Sequence, residues 1–270
     1  MTEEGKVLKI AEGLLPQVQG GSYAEYLKVA MVDRPSKRGL EIYQGYLRDG
    51  LNQTGAFRID KLHRHFPDGS IERFLESRRV DGEAPPTWVD LGCGQGVALQ
   101  EYPGADRTLL LGVDYLEYPE FNSPDYDGET VGLYKLRRDL NHEIQLPPAD
   151  FVTAIGVEPY LTDPSRIIAS AYQALKEGGF MFMSVPTSAH VKCKNGDVTN
   201  LVDYLAGHTY DYKVGEQLLR TFLGGTVDDG TTFFILEKRK GIDVTSIIKG
   251  LKIKDSFKNG DRYITRYEEV

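Results

Sequence analysis

The spacing of apolar residues along the chain changes character near residue 87. Before it, the pattern is helical. Residues 3–15 (EEGKVLKIAEGLL) place Val7, Leu8, Ile10, Ala11, Leu14 and Leu15 on a helical period that Pro16 stops. Stretches near 22–32 and 37–50 also have a helical pattern and carry Tyr23, Tyr26, Tyr43 and Tyr46. Ser70 is placed to cap a further helix through IERFLESRRV, and the run DGEAPP at 81–86 breaks the chain.

After that break, short apolar runs appear at 87–91, 108–113, 150–156, 179–185 and 231–236. Helix-compatible stretches such as PSRIIASAYQALKEGG lie between them, and VGEQLLRTFLGG at 214–225 has the pattern of a last sheet-covering helix. Strands alternating with helices predict an α/β domain with a mostly parallel sheet covered on both faces. TVDDGTTFFILEK predicts a hairpin turning at Asp229-Gly230, and the tail from Gly241 predicts another around Asn259-Gly260. The division is a helical cap or substrate lid over 1–86, a core over 87–240 with an inserted lid at 186–214, and an extension over 241–270.

Composition narrows the function classes. With 270 residues, 27% charged and 40% hydrophobic, the chain is an ordinary globular one. No apolar run approaches the roughly 18 residues of a membrane span, and the acidic N-terminus lacks a signal-peptide layout, so the expected location is the cytosol. Cys93 and Cys193 are too few for a disulfide framework or a zinc site. His63 and His65 lack Cys or His partners and are read as structural, so no metal is expected. The net charge of −8 disfavours a broad phosphate-binding surface. Residues 238–266 nevertheless hold nine Lys/Arg against Asp243, Asp255 and Asp261, a local charge of +6. Two readings stay open: a solvated strand edge protected by lysines, or a lip attracting an anionic substrate.

The candidate chemistry begins at WVDLGCGQGVAL, residues 88–99. Gly92, Gly94 and Gly96 are spaced G-x-G-x-G. The dinucleotide fingerprint has its third glycine three positions after the second, and a phosphate-binding P-loop needs a lysine that is absent here. Asp90 precedes the loop, and Asp114 ends the next apolar run, LLLGVD, twenty residues beyond Gly94. LRRDLNHEIQLPPADFVTAIGVEPYL then gives Asp139-Leu140 and a further strand. In this order the motifs resemble those of the Rossmann-like, class I S-adenosylmethionine (SAM) methyltransferases over about residues 87–186.

That resemblance implies a Rossmann-like, seven-stranded, mostly parallel sheet with an antiparallel last strand, helices on both faces and a helical N-terminal cap. It implies SAM as cofactor, held by Asp90, Gly92, Cys93, Gly94, Gly96, Asp114, Tyr115, Asp139, Leu140 and Gly156. Asp114 suits two ribose hydroxyls, Asp139 the adenine amino group, and Leu140 the ring. An acid at Asp90 suits a cationic cofactor better than a pyrophosphate. Val157-Glu158-Pro159-Tyr160 takes the place that faces the methyl group. It lacks the [DN]-P-P-[YF] of amino-methylating enzymes, and Pro159 replaces the histidine many small-molecule members carry. Glu158, Tyr160, His190 and His142 are candidate bases, with Glu158 either accepting the acceptor's proton or only orienting it. His190 is placed on a loop that could reach the acceptor, or on the surface. The expected reaction is O- or N-methylation of a small molecule. An RNA methyltransferase using the basic tail, a non-catalytic SAM-binding partner subunit and, at a distance, an NAD-dependent oxidoreductase are the alternatives.

Overall fold

The computed structural model describes residues 66, 69–94, 96–115, 131–142, 144–157, 161–223, 231–259 and 262–270. The predicted N-terminal helices, with His63 and His65, lie outside them. The chain forms two compact units: Met1–His142 with Pro147–Asp150, and Glu143–Leu146 with Phe151–Val270.

In the first unit, helix α1 (Ser70–Ser77) starts one residue earlier than its expected cap implies. Ser70 is the first helical residue, and Gly69, at φ 71°, is the cap residue without any side-chain bond. Glycine reaches that left-handed conformation without a Cβ clash, and its carbonyl accepts Arg73 N–H at 3.0 Å. The helix stops at Ser77 rather than continuing to Val80. The next residue, Arg78, directs its Nε to Asp150 Oδ1 at 3.0 Å. Oδ2 of the same buried carboxylate accepts Thr87 N–H at 2.9 Å, fixing the start of strand β1 (Thr87–Leu91).

Strand β1 pairs in parallel with β2 (Leu109–Asp114), and β2 in parallel with β3 (Leu133–Arg137). Every residue of β1 and β2 is buried. A parallel strand covered on both faces needs apolar residues at consecutive positions, which is why these strands read as unbroken runs. Trp88 meets Tyr102 edge-on, 5.4 Å between ring centroids.

Strand β4 (Ala149–Ala154) begins in the first unit and ends in the second. In the second unit, Asp163 caps helix α3 (Pro164–Ala174; α2 is the short Val97–Gln100), with proline at its first position. Strand β5 (Leu175–Pro186) follows directly and pairs antiparallel with β11 (Thr231–Glu237), which pairs antiparallel with β10 (Leu219–Leu223). Strands β1 to β5 with β10 and β11 are the seven strands of the mostly parallel sheet predicted from the sequence, and β11, between β5 and the edge strand β10, is antiparallel to both.

The helix predicted over 214–225 is corrected: its described residues form a turn and two short strands, β9 (Glu216–Gln217) and β10 (Leu219–Leu223). Gly215, at φ 72°, turns the chain between β8 (Tyr210–Asp211) and β9 (Glu216–Gln217), and a helix cannot run through that turn. The residues that follow give β11 a ladder partner. That partner is 219–223, so the hairpin differs from the one expected within 226–238; its turn lies outside the described residues.

A second sheet, in the order β12-β13-β6-β7, also lies in the second unit. It joins β6 (His190–Lys192) and β7 (Val198–Asn200) to the C-terminal hairpin of β12 (Leu251–Asn259) and β13 (Arg262–Glu269). Helices α4 (Leu201–His208) and α5 (Val244–Lys249) belong to the same unit. Hydroxyls fasten the hairpin to the start of α3. Tyr267 donates to Asp163 Oδ1 at 3.0 Å, while Thr265 and Ser256 donate to the Thr162 carbonyl at 3.2 and 3.3 Å.

Candidate cofactor site

The glycine loop follows from how β1 ends. Gly92 and Cys93 both donate their N–H to the Val113 carbonyl, at 2.6 and 3.2 Å, which draws the loop over the end of β2. A Cβ on Gly112 would lie 2.6 Å from Cys93 Sγ, so glycine is needed where the loop crosses the strand. Gly92, Gly94 and Gly96 have φ of 67°, 57° and 73°, conformations that side chains disfavour. Gly96 N–H returns to the Cys93 carbonyl at 2.9 Å, and the Gly96 carbonyl accepts from Leu99 and Gln100 at the start of α2.

Asp114 is the last residue of β2 and is 6% exposed. Its Oδ2 accepts Gly94 N–H at 2.8 Å, and its main-chain carbonyl accepts Arg138 N–H at 2.7 Å. Lys135, on β3, donates from Nζ to the Gly94 carbonyl at 3.3 Å. Just past β3, Asp139 Oδ1 accepts both the N–H and the side-chain amide of Asn141, at 2.9 and 3.2 Å. Its other oxygen, Oδ2, is buried and has no hydrogen-bond partner among the described residues. A buried carboxylate oxygen in that state costs free energy until a donor reaches it. Cys93, Tyr115 and Leu140 are buried, and Asp90 is buried within β1.

The first unit thus gathers Gly92, Cys93, Gly94, Gly96 and Asp114 by direct contact and places Asp139 after the neighbouring strand. The second unit holds Gly156, at φ 71°, after β4; its N–H donates to Ser184 Oγ at 3.0 Å, and Ser184 donates to the Ala154 carbonyl at 3.3 Å. Glu158 and Tyr160 lie outside the described residues. His190 begins β6 instead of sitting on a loop: it is exposed and paired with Arg266 and Asn200. His142 lies in the turn after Asp139, its N–H on the Asp139 carbonyl at 3.1 Å.

Among the described residues no group of three or more His, Cys, Asp or Glu could hold a metal ion, and no helix is long and apolar enough to cross a membrane. The basic tail is charge-compensated at two points: Lys254 Nζ lies 3.0 Å from Glu268, and Arg266 lies 3.5 Å from Asp255.

Lys135 and Ser184 escape sequence reasoning. Neither is among the candidate residues, and each bonds beyond its own strand, Lys135 to the glycine loop and Ser184 to Gly156 and Ala154.

The family model described as "Methyltransferase domain" matches residues 60–219, more than half of the chain. No curated protein matches it in sequence. Solved structures similar to it include the N-methyltransferase NodS from Bradyrhizobium japonicum in complex with S-adenosyl-L-homocysteine. That likeness has 15% identity, 73% of this chain and 97% of that one covered, and a TM-score of 0.41. An arsenic(III) SAM methyltransferase from Chlamydomonas reinhardtii is 17% identical over 58% of this chain and 64% of its own, at a TM-score of 0.38. A SAM-dependent methyltransferase from Mesorhizobium loti is 18% identical over 71% and 84%, at a TM-score of 0.33. The chain belongs to the methyltransferase-domain family, whose match spans the glycine loop and the strands around it, and it is a methyltransferase.

Proposed function

We propose that the enzyme methylates a small-molecule acceptor, with its cofactor on the glycine loop and beside Asp114 and Asp139. The observation that carries the placement is the buried Oδ2 of Asp139, which has no hydrogen-bond partner among the described residues. It needs an N–H or O–H donor, and the adenine amino group supplies one. The other groups fit as well. The left-handed glycines keep Cβ atoms out of the loop, and Asp114 can accept from ribose hydroxyls. Leu140, Tyr115 and Cys93 offer apolar surface to the ring, and Asp90 offers negative charge to a cationic ligand.

When bound, SAM supplies a methyl group already activated by its sulfonium. The protein therefore needs chiefly to position the acceptor and exclude water. Glu158 is assigned to the acceptor's hydroxyl or amine, taking its proton where the acceptor must lose one and otherwise holding its orientation. Tyr160 and His142 are secondary candidates. His190 drops behind them, because it is an exposed strand residue.

A small acceptor is favoured over RNA by the net charge of −8 and by tail cations that are paired with acids. The test has two stages. Calorimetry is expected to show binding of SAM and S-adenosylhomocysteine in preference to NAD and ATP; NAD binding with no response to either sulfur compound refutes the cofactor assignment. Methyl label from SAM is then followed in a metabolite extract and in RNA. Label in a small compound supports the proposal, label in RNA that vanishes when Lys249, Lys252 and Lys254 are neutralised replaces it, and cofactor binding with no transfer favours the non-catalytic alternative.

A further inference from the structure

We propose that Lys135 is a positioning residue for the cofactor: together with Asp114 it locks Gly94 into the conformation the loop adopts to receive its ligand. The inference rests on the reading that this loop holds the cofactor. Gly94 is at φ 57°, and as a glycine it has more backbone freedom than any other residue. Both peptide groups flanking its Cα are nevertheless held by charged side chains. The peptide before it donates N–H to Asp114 Oδ2 at 2.8 Å, from the end of β2. The peptide after it offers its carbonyl to Lys135 Nζ at 3.3 Å, from β3. One carboxylate and one ammonium therefore fix the two soft dihedrals of a single residue from opposite sides, and hydrogen bonds to charged groups are the stronger kind.

Gly112 makes this reach possible. Its Cα is the register partner of Lys135 on β2, and the loop lies so close over it that a Cβ there would meet Cys93 Sγ. With no side chain between them, a lysine one strand away can reach the loop. Lys135 also sets a division of labour. Asp114 has to share its carboxylate between Gly94 N–H and any ribose hydroxyls, whereas Lys135 holds the other peptide whether or not a ligand is bound.

The test uses the full chain with Lys135→Met, which keeps the stem and removes the charge, and Lys135→Arg, which restores a cationic donor. In the cofactor-free protein, amide exchange at Gly94 and Gly96 is expected to quicken in the methionine variant while exchange in β1 and β2 stays unchanged. If the loop then holds the receptive conformation about a tenth of the time, the calorimetric dissociation constant for S-adenosylhomocysteine rises about tenfold. Lys135→Arg should recover most of that loss, and the melting temperature should barely move. Unchanged loop exchange in Lys135→Met overturns the lock. Quickened exchange with unchanged affinity overturns the positioning role. Equal loss in both variants with a fallen melting temperature assigns Lys135 to stability alone and also overturns it. Wild-type protein that binds neither SAM nor S-adenosylhomocysteine removes the cofactor reading and the positioning role with it, whereas the exchange experiment still decides the lock.

Discussion

Tyr267→Phe removes one oxygen from the place where the C-terminal hairpin meets the start of α3, and its cost can be worked from the contacts. The ring is 1% exposed. Its hydroxyl donates to Asp163 Oδ1 at 3.0 Å and accepts Ser165 N–H at 3.3 Å. Burial, followed by the Asp163 charge, pushes its ionisation well above the ordinary tyrosine value, so it is a neutral donor at working pH. A bond donated to a carboxylate is worth about 1.5–3 kcal/mol net. The Ser165 contact is long and adds less, while a phenyl ring is cheaper to bury than a phenol. The balance is a loss of about 2–3 kcal/mol, or roughly 4–12 °C in melting temperature at two to four degrees per kcal/mol. Asp163 keeps its bonds from Ser165 Oγ, at 2.6 Å, and Arg166 N–H, at 3.3 Å, so α3 stays capped and the fold survives. Urea unfolding at constant m-value measures the change. A double-mutant cycle with Asp163→Asn should give a coupling of at least about 1 kcal/mol. A change under about 0.5 kcal/mol, or no coupling with Asp163, would show that the hydroxyl does not hold the hairpin to the helix.

Asp114→Asn keeps an oxygen for Gly94 N–H but removes the charge, and S-adenosylhomocysteine affinity by calorimetry should fall about 10- to 100-fold, the equivalent of about 1.5–3 kcal/mol; affinity within twofold would make the residue a loop clip only. Tyr172 donates to the Ile242 carbonyl at 2.8 Å, and burial raises its pKa from 10.0 to about 12. A raised folded pKa means the stabilisation is complete below the unfolded value and disappears as pH climbs from about 10 through 12; Tyr172→Phe should flatten that alkaline decline in urea unfolding, and an unchanged slope would refute the assignment. Glu158→Gln should slow turnover by about 10²–10⁴-fold if Glu158 is the base, with cofactor affinity nearly unchanged; an effect on affinity alone would move Glu158 to the cofactor.

What was legible in the sequence was what a residue decides by itself or through its near neighbours. Buried parallel strands announced themselves because both faces demand apolar side chains: 87–91, 108–113 and 150–156 each contain most of an observed strand. The glycine loop was legible for a similar reason, since the φ values at Gly92, Gly94 and Gly96 are ones that glycine permits. What could not be read was sideways pairing. Leu219 and Leu223 stand four apart, a helical signature, yet the segment is strand because β11 is there to receive it. Strands β6 and β7 have three residues each, too few for a period, and β6 exists through parallel pairing with β13 far along the chain. Lys135 is invisible on the same ground. In LYKLR it reads as one polar position in an alternating strand, and only its place beside Gly112 brings it to Gly94.

The basic tail shows how the same limit bears on function. Counted along the sequence, its cations form a lip that an anionic acceptor could use. In the fold they stand largely on a hairpin whose outer strand, β12, lies at the edge of the second sheet, with Lys252 opposite Glu268 and Lys254 bonded to it. Charges on an edge strand discourage another chain from pairing with its open backbone groups, and cations neutralised across the strands project little field toward a substrate. An acceptor drawn by the tail should show turnover that falls steeply with added salt and with neutralisation of Lys249, Lys252 and Lys254. An edge guard predicts salt-insensitive turnover and, in the triple neutral variant, a concentration-dependent rise in self-association by light scattering. The ion pair of Lys254 with Glu268, with Lys252 opposite the same acid, supports the second outcome.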